Sequence, residues 1–148
     1  MYDDKNNLFN KGVLQLVTAM TIQQHFENTE LWNTIGFEFL KGEEGSAEIA
    51  LNFSPDLTNV AGTLHGGIMM TMLDNTMGIA AYTLGFDLVM TIQMETRFVR
   101  PVLEGRLIAS AKTIDRTKST AIIEGRIYDE QQQLIAMCTS TFKGVHHA

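Results

Sequence analysis

Hydrophobic and polar residues alternate along much of this chain, and strict alternation is typical of half-buried strands. The segment 31–40 ends in alternating Ile35, Phe37 and Phe39, which predicts a short first strand. A glycine-containing turn over residues 42–45 is expected to follow it. The alternation continues at residues 47–53, 89–99, 106–116, 119–128 and 134–144. The pattern therefore predicts about six strands.

Two segments show a helical period instead. Val13, Leu16 and Met20 recur at helical spacing and predict an N-terminal helix over residues 10–28. Residues 68–84 are apolar on nearly every side, and such a helix is buried rather than laid on a surface. The last four strands are joined by short links, which favour antiparallel neighbours. An antiparallel sheet wrapped around the long central helix accommodates these elements and gives an α+β fold.

The length and composition indicate an ordinary globular protein. The chain has 148 residues, the usual size of one domain, so we expect a single domain over residues 1–148 with a helical extension at 1–30. The net charge is −6, and 11 scattered Lys and Arg residues are outnumbered by 17 acids. Nucleic-acid binding needs a basic face, so we expect no nucleic-acid partner.

The compartment is predicted from cysteine usage and from the apolar segments. Cys138 has no second cysteine to pair with, which fits a reducing compartment. The first ten residues lack the basic start and apolar core of a signal peptide. The apolar stretch 68–84 contains Asp74 and falls short of the roughly 20 residues that span a bilayer. We expect a cytoplasmic protein with no membrane partner.

The candidate chemistry lies at the start of the long helix. Gly66 and Gly67 leave their backbone N–H groups open to approach, and His65 immediately precedes them. A helix N-terminus presents unpaired donors and about half a positive charge. These features together indicate an oxyanion hole or an anion site.

Asp74 is the residue that a structural role explains least well. A carboxylate midway along a buried helix is costly unless it is paired or faces a cavity. One alternative is that Asp74 hydrogen-bonds a neighbouring strand or shares a narrow polar stripe with Asn75. The combination of Asp74 with the preceding His65-Gly66-Gly67 run favours a functional role over that alternative.

The spacing of these groups predicts a site shared between subunits. Gly67 and Asp74 are seven residues apart, which is roughly 10 Å along a helix. A carbonyl held by the Gly67 N–H therefore cannot lie about 3 Å from Asp74 of the same helix, as a general base must. If both groups act on one bond, Asp74 comes from a second copy. Because two-fold dimers are the commonest assembly, we expect two composite sites per dimer.

The sequence resembles the PaaI-like (phenylacetyl-CoA thioesterase) branch of the hotdog superfamily. The resemblance covers about residues 36–144 and implies a hotdog fold, acyl-CoA thioesterase activity, and dimers that pair into a homotetramer. The matching positions are Asn59, residues 62–67, Asp74, Gly78, residues 97–105, Thr141 and Phe142.

The resemblance implies roles for five residues. Asp74 would activate water or attack the thioester carbonyl. The N–H of Gly67, or that of Gly66, would hold the developing oxyanion. Asn59 and His65 would orient the thioester.

The same resemblance places Thr91 beside the attacking water. Relatives often carry an acid two residues further on, where this chain has Gln93. CoA is part of the substrate, so no cofactor is expected. No metal is expected either, because the histidines show no ligand spacing. The candidates for gripping the CoA phosphates are Arg97, Arg100, Arg116 and Lys118.

Three other functions remain open at this point. A non-catalytic hotdog module that binds or senses acyl-CoA is the main alternative. A hotdog dehydratase would need a positioned histidine and a following Phe-Pro-Gly loop, which is missing. A structural interaction protein would need no His-Gly-Gly run before a buried Asp. The sequence does not select the acyl group, because aryl, medium-chain and hydroxylated acyl groups all fit these residues.

Overall fold

The computed structural model describes residues 21–147. Two short helices come first, α1 (Ile22–Glu27) and α2 (Glu30–Ile35), and a long helix, α3 (Gly66–Tyr82), precedes the last four strands. The strands are β1 (Glu38–Glu43), β2 (Ser46–Asn52), β3 (Leu88–Phe98), β4 (Arg106–Arg116), β5 (Thr120–Tyr128) and β6 (Leu134–Val145).

The six strands form one antiparallel sheet in the order β1-β2-β4-β5-β6-β3. Short hairpins join β4, β5 and β6, as their spacing predicts. The expectation that the short link over residues 100–105 makes β3 a neighbour of β4 is wrong, because β3 pairs with β6 at one edge of the sheet. α3 contacts all six strands, so the sheet wraps around it. The α+β class and the predicted hotdog arrangement are confirmed.

The core lies between α3 and the sheet. Met72, Leu73 and Met77 of α3 are fully buried, as are Ile49 of β2 and Ile123 of β5. Burying an apolar side chain of this size contributes about 1.5–3 kcal/mol. The apolar character of α3 on nearly every side thus reflects burial, as the sequence predicts. No helix within residues 21–147 is both long and apolar enough to span a membrane.

The predicted N-terminal helix over residues 10–28 is wrong at Thr21. The backbone of Thr21 is extended (φ −64°, ψ 156°), and its side chain accepts a hydrogen bond from the Gln24 N–H. This capping box starts a helix at Ile22. The expected helical extension at 1–30 is therefore represented by α1 and the start of α2, and the rest of it lies outside the described residues.

The first strand also begins later than the alternation predicts. Ile35 is the last residue of α2, and Gly36 ends that helix in the left-handed conformation (φ 94°). Trp32 of α2 is only 2% exposed, and its ring meets that of Phe37 edge-on at 5.4 Å. This packing places residues 30–35 in a helix, although their apolar positions also fit a strand.

The turn after β1 is shorter than predicted. Gly42 is not a turn residue but belongs to β1. Glu44 and Gly45 have positive φ angles of 50° and 75° and form the two-residue connection to β2. Two positive φ angles in succession match the right-handed twist of a hairpin, which is why the strands pair up to this point.

Candidate active site

The first turn of α3 presents one open backbone donor. His65 is the N-cap, and its carbonyl oxygen accepts the N–H groups of Ile68 and Met69 at 2.9 and 3.2 Å. Its Nδ1 accepts the N–H of Gly67 at 2.8 Å. The N–H of Gly66 has no hydrogen-bond partner within residues 21–147. Since a helix N-terminus carries about half a positive charge, this donor suits a developing negative charge.

The two glycines at this turn serve different purposes. A Cβ at Gly67 would lie 2.9 Å from Nδ1 of His65, so any side chain there would displace the capping ring. A Cβ at Gly66 would meet only the ring of Phe98, at an ordinary contact distance of 3.5 Å. The sequence did not decide whether the N–H of Gly66 or that of Gly67 is the oxyanion donor. In the structure, the N–H of Gly66 is the one without a hydrogen-bond partner.

Asn59 and His65, both expected to orient a thioester, use polar atoms to hold the local backbone. Asn59 Oδ1 accepts the N–H groups of Ala61 and Thr63 at 3.0 and 3.2 Å, and its Nδ2 donates to Thr63 Oγ1 at 2.9 Å. These bonds fix the loop that leads into α3. Because Nδ1 of His65 accepts the bond from Gly67, a neutral imidazole carries its proton on Nε2. The Nε2–H is therefore the polar group of this ring that can meet a ligand.

Asp74 lies two turns into α3 and is half-buried. Thr91 of β3 donates its hydroxyl to Oδ1 of Asp74 at 2.6 Å, a charge-assisted bond that fixes the carboxylate. Oδ2 of Asp74 makes no hydrogen bond in the described part of the chain. The structure thus brings Thr91 and Asp74 together. A purely structural role for Asp74 would also predict a hydrogen bond to a neighbouring strand.

A cavity of 230 Å³ opens beside this carboxylate, and we call it the Asp74 cavity. Four rings line it, contributed by His25 and Phe26 of α1, Tyr82 of α3 and Phe142 of β6. Burial lowers the pKa of the His25 imidazole and raises the pKa of the Tyr82 phenol. The carboxylate therefore faces a mainly apolar space large enough for a ligand. Sequence reasoning missed these rings, because they converge from positions far apart in the chain.

A second hollow of 300 Å³ lies at the N-terminus of α3, and we call it the Gly66 cleft. Asn59, Gly66, Phe98 and Arg100 are among its lining residues, none of which lines the Asp74 cavity. Gly66 and Asp74 are eight residues apart on one helix, which corresponds to about 12 Å. One chain therefore carries the two chemical groups in separate hollows, as the spacing in sequence predicts.

The four basic residues expected to hold CoA phosphates lie in different places. Arg100 lines the Gly66 cleft, and its Nη1 donates to the carbonyl oxygen of Leu134 at 2.6 Å. Arg97 is exposed and has only a loose ion pair with Glu95, at 4.0 Å. Of these two, Arg100 is the one that the fold brings to the open Gly66 donor.

The other two basic residues lie away from the Gly66 cleft. Arg116 donates to the carbonyl oxygen of Leu84, just beyond the C-terminus of α3, at 2.7 Å. Its guanidinium also lies 4.6 Å above the ring centre of Phe86. Lys118 is exposed in the turn between β4 and β5. Within one chain, Arg116 and Lys118 therefore do not meet the N-terminus of α3.

Gln93 faces away from Asp74 because of a β-bulge. Thr91 pairs with Phe142, but Gln93 pairs with the adjacent Thr141, so Ile92 is the extra residue. A bulge of this kind reverses the side-chain alternation. Gln93 therefore points to the opposite face of the sheet from Thr91. The acid that the family resemblance leads one to expect at this position is therefore absent, and the Gln93 side chain that replaces it does not face Asp74 in the described structure.

Three other features of residues 21–147 are less suited to acyl-CoA chemistry. A larger hollow of 460 Å³ is lined by Glu104, Asp129 and Glu130, whose carboxylates would repel CoA phosphates, and its one basic lining residue, Arg106, is paired with Glu38. No group of three or more His, Cys, Asp or Glu residues in this part of the chain could hold a metal ion. Cys138 is buried, and burial raises the pKa of its thiol, which disfavours a nucleophilic thiolate.

Sequence comparisons show that the chain is similar to thioesterases. Residues 61–136 match the family model described as the thioesterase superfamily. The chain is 30% identical to 1,4-dihydroxy-2-naphthoyl-CoA hydrolase of Listeria monocytogenes, over 76% of this chain and 95% of that protein. It is 24% identical to the acyl-coenzyme A thioesterase PaaI of Escherichia coli, over 82% of this chain and 84% of that protein.

Solved structures of related proteins have the same fold. The Escherichia coli PaaI protein from the phenylacetic acid degradation operon superposes with a TM-score of 0.81 at 20% identity, covering 91% of this chain and 98% of that one. A thioesterase family protein from Silicibacter pomeroyi superposes with a TM-score of 0.78 at 24% identity, covering 85% and 96%. The chain therefore belongs to the thioesterase superfamily, in its PaaI-like hotdog branch.

Proposed function

We propose that this protein hydrolyses the thioester of an acyl-CoA or aryl-CoA to a free acid and CoA. The active site is composite: the Gly66 cleft of one subunit faces the Asp74 cavity of another. The observation that carries this proposal is that α3 holds an open N–H and a fixed carboxylate about 12 Å apart. Within one chain, a carbonyl bound by the Gly66 N–H lies too far from Asp74 to be attacked. A thioesterase needs both groups at the same carbonyl.

The N–H of Gly66 binds the carbonyl oxygen of the thioester. As the carbonyl carbon becomes tetrahedral, negative charge develops on this oxygen, and the donor and the helix terminus stabilise it. His65 contributes by accepting a hydrogen bond from the N–H of Gly67, and this bond holds the first turn in place. The loop fixed by Asn59 lines the same cleft, and Asn59 and the Nε2–H of His65 orient the thioester.

Asp74 of the other subunit acts on the opposite side of that carbonyl. Thr91 holds Oδ1 of Asp74, which leaves Oδ2 to take a proton from water or to attack the carbonyl carbon directly. In the first route, the resulting hydroxide adds to the carbonyl carbon. The C–S bond then breaks, and the departing CoA sulfur takes up the proton from Asp74. The acyl group occupies the Asp74 cavity during these steps.

The edge strand β3 gives this composite site a route to assembly. Its outer edge is unpaired within residues 21–147, and Met90, Ile92 and Phe98 along it are 45%, 59% and 50% exposed. An exposed apolar edge strand readily pairs with another strand. Pairing of two β3 strands about a two-fold axis sets the two α3 helices antiparallel. We propose a homodimer of this kind, and a homotetramer formed from two such dimers.

The CoA part of the bound substrate extends out of the composite site along the Gly66 cleft. Arg100 is already anchored there through Nη1, so its guanidinium is positioned to bind a phosphate with its remaining N–H groups. Arg97, Arg116 and Lys118 are weaker candidates, because within one chain none of them borders this cleft. No cofactor takes part in this scheme.

A thiol-release assay tests the proposal against the alternative of an acyl-CoA sensor. Wild-type protein is offered aryl-, medium-chain and short-chain acyl-CoA thioesters, and the freed thiol is measured. Asp74→Asn is expected to lower kcat by roughly 10²- to 10⁴-fold, the usual contribution of a general base, with an unchanged thermal unfolding midpoint. Tight binding of a thioester without thiol release from any of them would instead support the sensor.

A further inference from the structure

A β-bulge in the edge strand β3 determines which way Thr91 points. Thr91 pairs with the buried Phe142 of β6, whereas the residues from Gln93 onward follow a register that is shifted by one residue. If that second register continued back along β3, Thr91 would pair with Lys143, which is exposed. Directly paired residues point to the same face of a sheet, so Thr91 would then turn away from Asp74. The position of the bulge therefore brings the Thr91 hydroxyl to the carboxylate.

One side chain on the neighbouring strand bonds to β3 at the point where the register changes. The hydroxyl of Ser140 on β6 donates a hydrogen bond to the carbonyl oxygen of Gln93, the first residue paired after the bulge, at 2.7 Å. Ser140 is only 1% exposed. Within residues 21–147, β3 lies at the edge of the sheet and pairs with β6 alone, so its bulge is held from one side. The Ser140 bond joins the two strands at that place.

We propose that Ser140 is a positioning residue for Asp74: its bond to Gln93 holds the β3 bulge in place, and the bulge directs the Thr91 hydroxyl to Oδ1 of Asp74. This inference rests on the proposed function, in which Asp74 acts on the thioester. Ser140 is not among the residues that line the Asp74 cavity. Its effect on the reaction therefore passes through the backbone of β3, and loss of the bond should lower kcat while leaving KM nearly unchanged.

A purely structural role for Ser140 makes a different prediction. A buried hydroxyl needs a hydrogen-bond partner, and on this account the Gln93 carbonyl is only that partner. Removing the hydroxyl would then lower the thermal unfolding midpoint without changing kcat. Thr76 supplies the matched control, because it is also fully buried and its hydroxyl donates to the carbonyl oxygen of Met72 within α3, at 2.7 Å. Ser140→Ala and Thr76→Val each remove one buried hydroxyl with little change of shape.

A double-mutant cycle in the thiol-release assay separates the two roles. We expect Ser140→Ala to lower kcat about 3- to 10-fold, up to the loss expected for Thr91→Val, and Thr76→Val to keep the wild-type kcat. If Ser140 acts through Thr91, adding Ser140→Ala to Thr91→Val should cause no further loss, because residues in one hydrogen-bond network are not additive. Ser140→Cys, which weakens the donor and nearly keeps the volume, replaces Ser140→Ala in the cycle if the alanine variant is unfolded at the assay temperature.

Amide hydrogen exchange at Thr91, Ile92 and Gln93 tests the bulge without turnover. Ser140→Ala should make exchange at these three amides several-fold faster, whereas Thr76→Val should not.

The outcomes separate this inference from the proposed function. Unchanged exchange at the bulge, an unchanged kcat in Ser140→Ala, or a double variant whose loss equals the product of the two single losses would overturn the positioning role. Thiol release by the wild-type protein would still support the thioesterase in each of these cases. Conversely, faster exchange at the bulge in a protein that releases no thiol from any thioester would support Ser140 as the residue that holds the bulge and would overturn the proposed function.

Discussion

Replacing Gly66 with proline removes the proposed oxyanion donor with little effect on the backbone. Proline is favoured at the first position of a helix, where its fixed φ suits the turn and its missing N–H breaks no helical bond. The residue before a proline must be extended, and His65 already is, at φ −63° and ψ 133°. The added Cβ meets only Phe98, at an ordinary 3.5 Å. We therefore expect Gly66→Pro to fold.

The matched control is Gly66→Ala, which adds the same Cβ but keeps the N–H. Loss of one oxyanion donor typically lowers kcat by about 10²- to 10³-fold, or about 2.7–4 kcal/mol in the transition state. We expect a loss of this size in Gly66→Pro and a rate within a few-fold of wild type in Gly66→Ala. We predict this contrast because the N–H of Gly66 is open, whereas that of Gly67 is already hydrogen-bonded.

The assay is the initial rate of thiol release at saturating substrate, with thermal unfolding followed by circular dichroism. Both variants should unfold within a few degrees of wild type. If Gly66→Pro keeps a rate close to that of Gly66→Ala while both are folded, Gly66 is not the donor. A loss of rate in both variants would mean that the Cβ, rather than the missing N–H, disturbs the cleft.

Three further substitutions have distinct expected outcomes. Thr91→Val removes the hydroxyl that holds Asp74 and should lower kcat about 10-fold, in line with a hydrogen bond to a charged group, whereas Thr91→Ser should keep most of the rate. Gly78→Ala adds a Cβ 3.6 Å from its nearest neighbour in the Asp74 cavity; it should raise stability by up to about 1 kcal/mol in a thermal melt yet slow aryl-CoA more than acetyl-CoA, and equal slowing would contradict the assignment of the cavity. Arg100→Ala should raise KM for acyl-CoA several-fold with little change in kcat, while Arg97→Ala should change neither.

Much of this fold could be predicted, because the apolar residues of most elements fit only one period, that of a strand or that of a helix. Residues 106–116 alternate cleanly, and β4 occupies that range. The prediction failed where two periods fit the same residues, as at Ile35, whose helix is set by the burial of Trp32 and the left-handed Gly36. The break at Thr21 had a local signal, the capping box with Gln24, which the longer apolar pattern obscured.

The site was only partly predictable for a different reason. The separation of Gly67 and Asp74 along one helix follows from the rise per residue, so a site shared with a second chain could be proposed from the sequence. Which glycine is open depends on the orientation of the His65 ring, which no sequence pattern specifies. His25 was missed because its neighbour Tyr82 lies 57 positions away in the sequence, and only the fold brings the two rings together.

The composite site is the central claim, and subunit mixing tests it most directly. Subunits carrying Asp74→Asn are mixed with an equal amount of subunits carrying Gly66→Pro, and the two are dissociated and reassociated. Random pairing about a two-fold axis makes about half of the dimers mixed. In each mixed dimer, one site carries both substitutions and the other carries neither.

Thiol release by the reassociated mixture is the decisive measurement. If each site joins Gly66 of one subunit with Asp74 of the other, two inactive parents should together recover about a quarter of the wild-type rate per subunit. If each site lies within a single chain, every site in the mixture keeps one of the two substitutions. The rate would then stay at the mean of the two parents, and that result would contradict the shared site.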